Sequence, residues 1–169
     1  MSVARKGIWR PMCHDDLPLV SAISDTVHGR YSETLAIYTE RLALYPAGCL
    51  MFELAQEPVG YLVSHPWRSD NPPGLNMPLG ALPVQPDCYY LHDIALLPSA
   101  RGSGAGSAAM AFVEERARAE GLQVITLIAV NGADSFWAMQ GFAYVEDAAG
   151  QGTRSYGAGS YFMQRVIEA

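Results

Sequence analysis

The hydrophobic and polar positions in the first part of the chain predict a strand followed by two helices. A short stretch at 8–11 predicts the strand. His14-Asp15-Asp16 supplies a capping carboxylate for a helix through about Val27, which Gly29 would end. A second helix is expected over 32–44, with Ser32 as its N-cap, because apolar residues recur there at helical spacing.

Two strands and a long irregular segment are predicted next. Residues 49–55 and 59–65 alternate in the manner of a hairpin. The segment 66–87 carries prolines at 66, 72, 73, 78, 83 and 86, and proline lacks the backbone donor that a central strand needs. We therefore expect a loop, and loops of this length are usually functional or disordered.

A strand, a glycine-rich turn, a helix and another strand are predicted in the second half. The apolar strand YYLHDIALLP begins at Tyr89, and the helix after the turn buries a stripe that includes Val113. Gly121 and Leu122 predict a Schellman ending for this helix. The strand VITLIAV that follows is apolar on both faces, so we expect it to lie centrally in the sheet.

The glycine-rich turn has the character of an anion-binding loop, because glycines at 102, 104 and 106 leave the backbone bare where a helix begins. A P-loop would need a lysine after Gly106, where Ser107 stands. A dinucleotide-binding fingerprint fits 104–109, but Asn131 occupies the position where a carboxylate should bind the ribose.

A third kind of anion-binding loop fits at every fixed position. The residues RGSGAG at 101–106 resemble the acetyl-CoA loop of the GCN5-related N-acetyltransferase (GNAT) superfamily, which reads Arg/Gln-x-x-Gly-x-Gly/Ala. The residues LLP at 96–98 resemble its approach, and Gly141-Phe142 resembles the family's Gly-Phe pair. The resemblance implies an α/β (α+β) GNAT fold, a twisted, mixed, mostly antiparallel sheet flanked by helices, with parallel fourth and fifth strands. One such domain is expected over 1–169.

The resemblance also implies that acetyl-CoA is the cofactor. Its pyrophosphate is expected on the amides of Arg101, Gly102, Ser103, Gly104, Ala105, Gly106 and Ser107. The pantetheine is expected beside Ile94, Ala95 and Leu96, and a backbone N–H near Leu96 would hold the oxyanion. Asn131 is a further candidate, because the family carries a cofactor-contacting asparagine in this region. No metal is needed for this chemistry.

Two titratable residues, His92 and Asp93, interrupt the apolar strand that leads to the turn, and such groups are costly to bury unless they are hydrogen-bonded or serve chemistry. Strand alternation puts them on opposite faces. His92 resembles the histidine that deprotonates the amine in the serotonin N-acetyltransferase branch, whereas polyamine acetyltransferases carry an acidic pair here. Both residues are candidate catalytic bases, with a structural role as the alternative.

The general acid is where the resemblance is weakest. Many family members place a tyrosine five residues before the phenylalanine of Gly-Phe, and Trp137 stands there. Indole donates a hydrogen bond but does not release its proton at useful pH, so Tyr144, Tyr156, Tyr161 or solvent would have to protonate the departing thiolate. The spacing of Phe136, Trp137 and Met139 is more typical of core residues.

Net charge bears on the class of partner, and cysteine content bears on the cellular compartment. Eleven basic and seventeen acidic residues give a net charge of −6, which argues against a nucleic-acid partner and suits a cationic amine. Three cysteines without a signal peptide suggest free thiols in a cytoplasmic protein. No apolar run is long enough for a membrane span. The resemblance leaves a homodimer open.

These features predict an acetyl-CoA-dependent N-acetyltransferase. A primary amine of a small molecule or peptide would attack the thioester directly in a ternary complex. The alternative is a catalytically silent acyl-CoA-binding module that acts as a sensor or scaffold. Trp137 in the acid position favours the silent module, and His92 in the base position opposes it.

Overall fold

The computed structural model describes residues 7–146 and 151–168. Within them the elements are β1 (Gly7–Pro11), α1 (Leu17–His28), α2 (Leu35–Leu44), β2 (Cys49–Leu54), β3 (Glu57–Trp67), β4 (Cys88–Leu96), α3 (Ala105–Ala119), β5 (Val124–Ala129), α4 (Asp134–Met139), β6 (Ala143–Tyr144), α5 (Gln151–Tyr156) and β7 (Tyr161–Val166). The strands form one mixed sheet in the order β1-β2-β3-β4-β5-β7-β6, flanked by helices. This is the predicted fold class.

The described residues form two compact units. The first unit contains 7–64 and 93–113, and the second contains 65–92, 114–146 and 151–168. Each unit is described by itself below.

The first unit begins with an antiparallel arrangement in which β2 pairs with β1 and β3. The β2–β3 turn is tighter than predicted, because Leu54 pairs with Glu57 and only two residues connect them. Ala55 and Gln56 both have positive φ, at 50° and 67°, as a two-residue hairpin turn that matches strand twist requires. Pro58 is accommodated where the register shifts after Phe52.

The two helices of the first unit pack against each other and against the buried faces of β2 and β3, in a core that includes Val20, Ile23, Tyr38, Met51 and Tyr61. Gly29, at φ 56°, ends α1 as predicted. The predicted start of α2 is wrong, since the helix begins at Leu35 after Thr34. Ser32 does not cap it, because the Ser32 hydroxyl donates to Asp25 Oδ1 at 2.5 Å.

The helix after the glycine-rich turn ends as the sequence predicts. Gly121, at φ 72°, donates its N–H to Arg118 O at 3.0 Å, and the Leu122 N–H donates to Ala117 O at 2.8 Å. This pair of bonds is a Schellman motif, and the Leu122 side chain is buried beyond it. The apolar stripe is also confirmed, with Val113 and Ala117 fully buried.

The second unit contains the predicted central strand. β5 pairs in parallel with β4 through Tyr89 and Tyr90, and antiparallel with β7 along its whole length. The predicted parallel fourth and fifth strands are therefore confirmed. β6 then pairs with β7 through Ala143 and Tyr144.

The proline-rich segment is shorter than predicted, because β3 continues through Pro66 and Trp67. Proline lacks a donor, but the carbonyls here still accept: Trp67 O accepts the Asp87 N–H at 3.0 Å. The remaining loop is fastened at its base, since the Ser69 N–H donates to Asp87 Oδ1 at 2.7 Å. Further along, the Leu75 N–H donates to Ser155 Oγ at 2.8 Å.

The three cysteines of the sequence are all free thiols. Cys13 is exposed, whereas Cys49 and Cys88 are buried. Burial raises the pKa of both buried thiols to about 12. Neither 7–146 nor 151–168 contains a helix long and apolar enough to cross a bilayer.

Candidate functional site

The glycine-rich turn exposes backbone at the start of α3, in the first unit. A short 3-10 turn, Pro98–Ala100, leads into Gly102 at φ 74° and Gly104 at φ 82°, a conformation that residues with a Cβ rarely adopt. A Cβ placed on Gly102, Gly104 or Gly106 would meet no atom within 4 Å. The backbone of the turn therefore borders open space.

The amides of this turn fall into two groups. The N–H groups of Arg101 and Ser103 donate to the carbonyls of Pro98 and Ala100, and the Ala105 N–H donates to Ser103 Oγ at 3.4 Å. Within the described part of the chain no acceptor lies at the N–H groups of Gly102, Gly104, Gly106 and Ser107. Four open donors at a helix N-terminus, where the helix dipole is positive, attract an anion.

The glycine-rich turn packs against the core of the first unit. Ala100 and Ala105 are buried in a cluster with Phe52. Trp9 Nε1 donates to Ala105 O at 3.0 Å and so ties β1 to the first turn of α3. These contacts therefore hold in place the backbone that carries the open amides.

The end of β4 lies very close to β3, also in the first unit. A Cβ on Gly60 would fall 2.6 Å from Leu96 Cδ2 and 2.8 Å from Ala95 O, so no side chain fits there. The Leu97 N–H donates to Val59 O at 2.8 Å, which removes it as a free donor for an oxyanion. Ile94 and Leu96 are partly exposed and Ala95 is buried.

Asp93 is the centre of a hydrogen-bonded cluster of buried side chains in the first unit. Its Oδ2 accepts the Tyr61 hydroxyl at 2.5 Å and the Tyr38 hydroxyl at 3.1 Å. Its Oδ1 lies 2.6 Å from Nε2 of His28. Ser24 Oγ joins the cluster at 2.7 Å from the Tyr38 hydroxyl. We call these residues the Asp93 cluster.

The cluster changes the proton affinity of its members. Burial, followed by the charge of Asp93, raises the pKa of Tyr38 and Tyr61, so both phenols remain protonated donors. For His28, burial alone would lower the pKa. The charge of Asp93, the bond to it and the charge of Glu33 outweigh burial and raise the pKa.

His92, the neighbour of Asp93 in β4, lies in the second unit among other rings. Its ring centroid is 5.9 Å from that of Tyr90 and 6.2 Å from that of His65. His92 and Asp93 have the same exposed fraction, 9%. The two residues are therefore equally buried, but His92 lies beside aromatic rings and Asp93 forms an ion pair with His28.

The sequence of this chain matches the model of the acetyltransferase (GNAT) family over residues 18–142, which span the Asp93 cluster and the glycine-rich turn. The protein belongs to the GNAT family. No curated protein matches its sequence. Membership supports an acyl-CoA-dependent acyltransferase in general terms.

Solved structures show the GNAT fold over nearly the whole chain. Ard1 from Thermoplasma volcanium is 16% identical, with 99% of this chain and 100% of that one covered and a TM-score of 0.71. The loading GNATL domain of CurA from Lyngbya majuscula is 15% identical, with 95% and 98% covered and a TM-score of 0.78. Arabidopsis thaliana Naa50, in complex with the bisubstrate analogue CoA-Ac-MVNAL, is 15% identical, with 96% and 99% covered and a TM-score of 0.66.

The residues of the second unit that the sequence singles out differ in burial in this GNAT chain. Trp137 is buried and packs edge-on against Phe142, with centroids 5.5 Å apart. The core assignment of Phe136 and Met139 is wrong, because their exposed fractions are 51% and 87%. Asn131 is exposed at φ 55°, in the turn before α4.

The tyrosines considered as acids also lie in the second unit. The Tyr144 hydroxyl donates to Asp134 Oδ2 at 2.6 Å, and this bond raises the pKa of Tyr144. A proton held in this way is harder to release to a thiolate. Tyr144 and Tyr161 contact each other edge-on with centroids 5.4 Å apart. No group of His, Cys, Asp and Glu within 7–146 and 151–168 is suited to hold a metal ion.

Four members of the Asp93 cluster are not predicted from the sequence: Ser24, His28, Tyr38 and Tyr61. The one available signal was that Gly29 ends α1, which places a histidine at a helix C-terminus, where the dipole favours its charged form.

Proposed function

We propose that this protein is an acetyl-CoA-dependent N-acetyltransferase that acetylates a primary amine of a small molecule or peptide. The observation that carries the proposal is the turn at 101–107, with four open amides and open space beside its glycines, in a chain of the GNAT family. A CoA pyrophosphate has the charge that such a turn binds.

The cofactor would use both the turn and the strand before it. The amides of Gly102, Gly104, Gly106 and Ser107 would bind the pyrophosphate, with the exposed Arg101 side chain beside it. The pantetheine would run along Ile94–Leu96, and the partly exposed side chains of Ile94 and Leu96 support that path. We keep Asn131 as a further candidate contact.

The chemistry is proposed as direct attack of a neutral amine on the thioester. Both buried thiols have a pKa of about 12, so neither Cys49 nor Cys88 offers a thiolate for a covalent intermediate. The sequence offers both His92 and Asp93 as candidates for the base. The contacts of Asp93 support it, because its carboxylate lies 2.6 Å from the His28 imidazole, a ring that exchanges protons near neutral pH.

The acceptor is proposed from charge and from similarity. A net charge of −6 favours approach of a cationic amine. A peptide amine deserves testing because the similar Naa50 structure holds a CoA-peptide analogue. We further propose a single cytoplasmic domain that acts alone or as a homodimer.

A catalytically silent CoA-binding sensor or scaffold is the second candidate function. The observation that favours it is Trp137, which is buried in the position where many GNAT enzymes carry a tyrosine acid. In an active enzyme, Tyr156, Tyr161 or solvent would then have to protonate the departing thiolate.

Calorimetry and thiol release separate the two functions. An N-acetyltransferase should bind acetyl-CoA and release free thiol with some members of a panel of diamines, arylalkylamines and short peptides. A sensor should bind acetyl-CoA without turnover. Absence of acetyl-CoA binding to the folded protein would disprove both.

A further inference from the structure

The contact between His28 and Asp93 has the geometry of an oriented imidazole. His28 is the last residue of α1, and Gly29 turns the chain away immediately after it. Its Nε2 lies 2.6 Å from Asp93 Oδ1. A carboxylate accepts hydrogen bonds, so Nε2 carries the proton and, in the neutral ring, the lone pair is on Nδ1.

The other groups that contact Asp93 leave its carboxylate positioned to orient the His28 ring. Tyr61 and Tyr38 both donate to Oδ2, and His28 contacts Oδ1. Within the described residues, Asp93 is the one hydrogen-bonding partner of the His28 ring, and the His28 side chain is 19% exposed. The ring is thus held on one side and open to solvent in part.

We propose that His28 is the base that removes the proton from the acceptor ammonium, and that Asp93 is a positioning residue that fixes the ring. The inference rests on the proposed acetyltransferase function and deepens it. It assigns the base to His28 in place of both His92 and Asp93, and it gives Asp93 an indirect role.

The proton and electron steps balance as follows. An ammonium N–H bond breaks, the proton binds His28 Nδ1, and the nitrogen keeps its electron pair. That nitrogen attacks the thioester carbon to form a tetrahedral oxyanion. Collapse breaks the C–S bond, and the second nitrogen proton passes through solvent to the departing CoA thiolate. His28 finally returns its proton to solvent.

Within the first unit, His28 and Asp93 lie near the proposed path of the cofactor. Asp93 immediately precedes Ile94–Leu96, and a strand rises about 3.3 Å per residue, so Asp93 and Leu96 are about 10 Å apart along β4. An acceptor amine bound between them could reach Nδ1 directly or through one water.

The charges that face His28 determine its pH dependence. Asp93 in β4 and Glu33, between α1 and α2, both favour the charged ring. Tyr38 in α2 and Tyr61 in β3 face Asp93 as neutral donors. Because these charges raise the pKa of His28 above its ordinary value despite burial, the active neutral form should accumulate only at higher pH than for a free imidazole.

The test is the pH profile of kcat/KM with an amine that the wild-type protein acetylates. The wild type should show a rising limb above the ordinary imidazole range. His28→Gln should abolish this limb and lower kcat by about a hundredfold to ten-thousandfold. Acetyl-CoA affinity should not change, because the glycine-rich turn would bind the cofactor through backbone amides. His14→Gln, at an exposed histidine, is the matched control and should keep the full profile.

Two further variants separate a chemical role from a structural one. Asp93→Asn should move the limb to lower pH, because the charge that raises the pKa of His28 is lost. His28→Ala should regain activity when imidazole is added. These readouts remain available if His28→Gln folds poorly.

The contrary outcomes are distinct. An unchanged limb in folded His28→Gln, or loss of the limb in His92→Gln alone, would overturn the inference and leave the acetyltransferase function intact. A wild-type protein that binds acetyl-CoA but releases no thiol with any amine would overturn both.

Discussion

The glycine-rich turn and the Asp93 cluster lie in the same unit and differ in how each would work. The turn presents backbone amides to open space, so the groups that would bind an anion are backbone N–H groups and not side chains. The Asp93 cluster is largely buried and hydrogen-bonded, and its functional atoms belong to hydroxyl, imidazole and carboxylate groups. Changes in the turn should therefore alter binding, whereas changes in the cluster should alter stability and pH dependence.

The largest effect is expected when the cluster loses its centre. Asp93→Ala removes the acceptor that the Tyr38 and Tyr61 hydroxyls share and the counter-charge of His28, and it should lower the free energy of unfolding by about 3–5 kcal/mol. Denaturant unfolding measures this loss. Asp70→Ala is the matched control, because that side chain is 67% exposed and should change stability by less than about 0.5 kcal/mol. A similar small change for Asp93→Ala would contradict the description of the cluster.

The next largest effect is expected in the turn and should appear in binding. Gly104→Asp places a negative charge beside the proposed pyrophosphate and should weaken acetyl-CoA binding by about a hundredfold, or about 2.8 kcal/mol. Gly104→Asn has the same shape and shares the cost of φ 82°, so it should bind more tightly than the aspartate variant. Calorimetry that gives equal affinities for the two variants would show that no anion binds there.

A smaller effect concerns the pH dependence of stability. The pKa of His28 is raised in the folded protein, so the folded state holds its proton more tightly than the unfolded chain. The resulting stabilisation is complete below the ordinary histidine pKa and is lost as pH rises through the folded value. The free-energy difference between wild type and His28→Gln should therefore shrink from acid to alkaline pH. His14→Gln should show no such trend, and a flat difference for His28→Gln would refute the charge pairing.

The smallest effect is expected at Trp137, which belongs to neither region. If its indole serves packing rather than proton transfer, Trp137→Phe should keep kcat within about threefold, since Phe retains the edge-on contact with Phe142. Steady-state thiol release checks this. A hundredfold loss, comparable with the removal of a general acid, would mean that the indole N–H takes part in the chemistry.

The two regions also differ in how far the sequence predicts them. Gly102 and Gly104 have the positive φ that the turn requires, so these glycines indicate the turn locally, and Gly121 indicates the end of α3 in the same way. The Asp93 cluster joins residues that are distant in sequence: His28 and Asp93 are 65 positions apart. No local pattern encodes that pairing, so the sequence identifies Asp93 as unusual without identifying its partners.

The same limit explains the errors in the elements. Ser32 has the chemistry of an N-cap, but a tertiary bond to Asp25 occupies its hydroxyl, and the helix starts later. Pro66 suggests the end of a strand, yet β3 includes it because its missing donor does not prevent the neighbouring carbonyls from accepting. In both cases the deciding contact is made by a residue outside the local window.

The distribution of the three thiols has a practical consequence for spectroscopy. Cys49 and Cys88 are buried with a pKa of about 12, so alkylating reagents at neutral pH should modify Cys13 alone. A fluorophore or spin label on Cys13 would sit just before α1, the helix that ends at His28. Such a label offers a signal for movements of α1 when an acceptor binds, while Cys13→Ser gives a protein silent to thiol reagents in which released CoA can be counted without background.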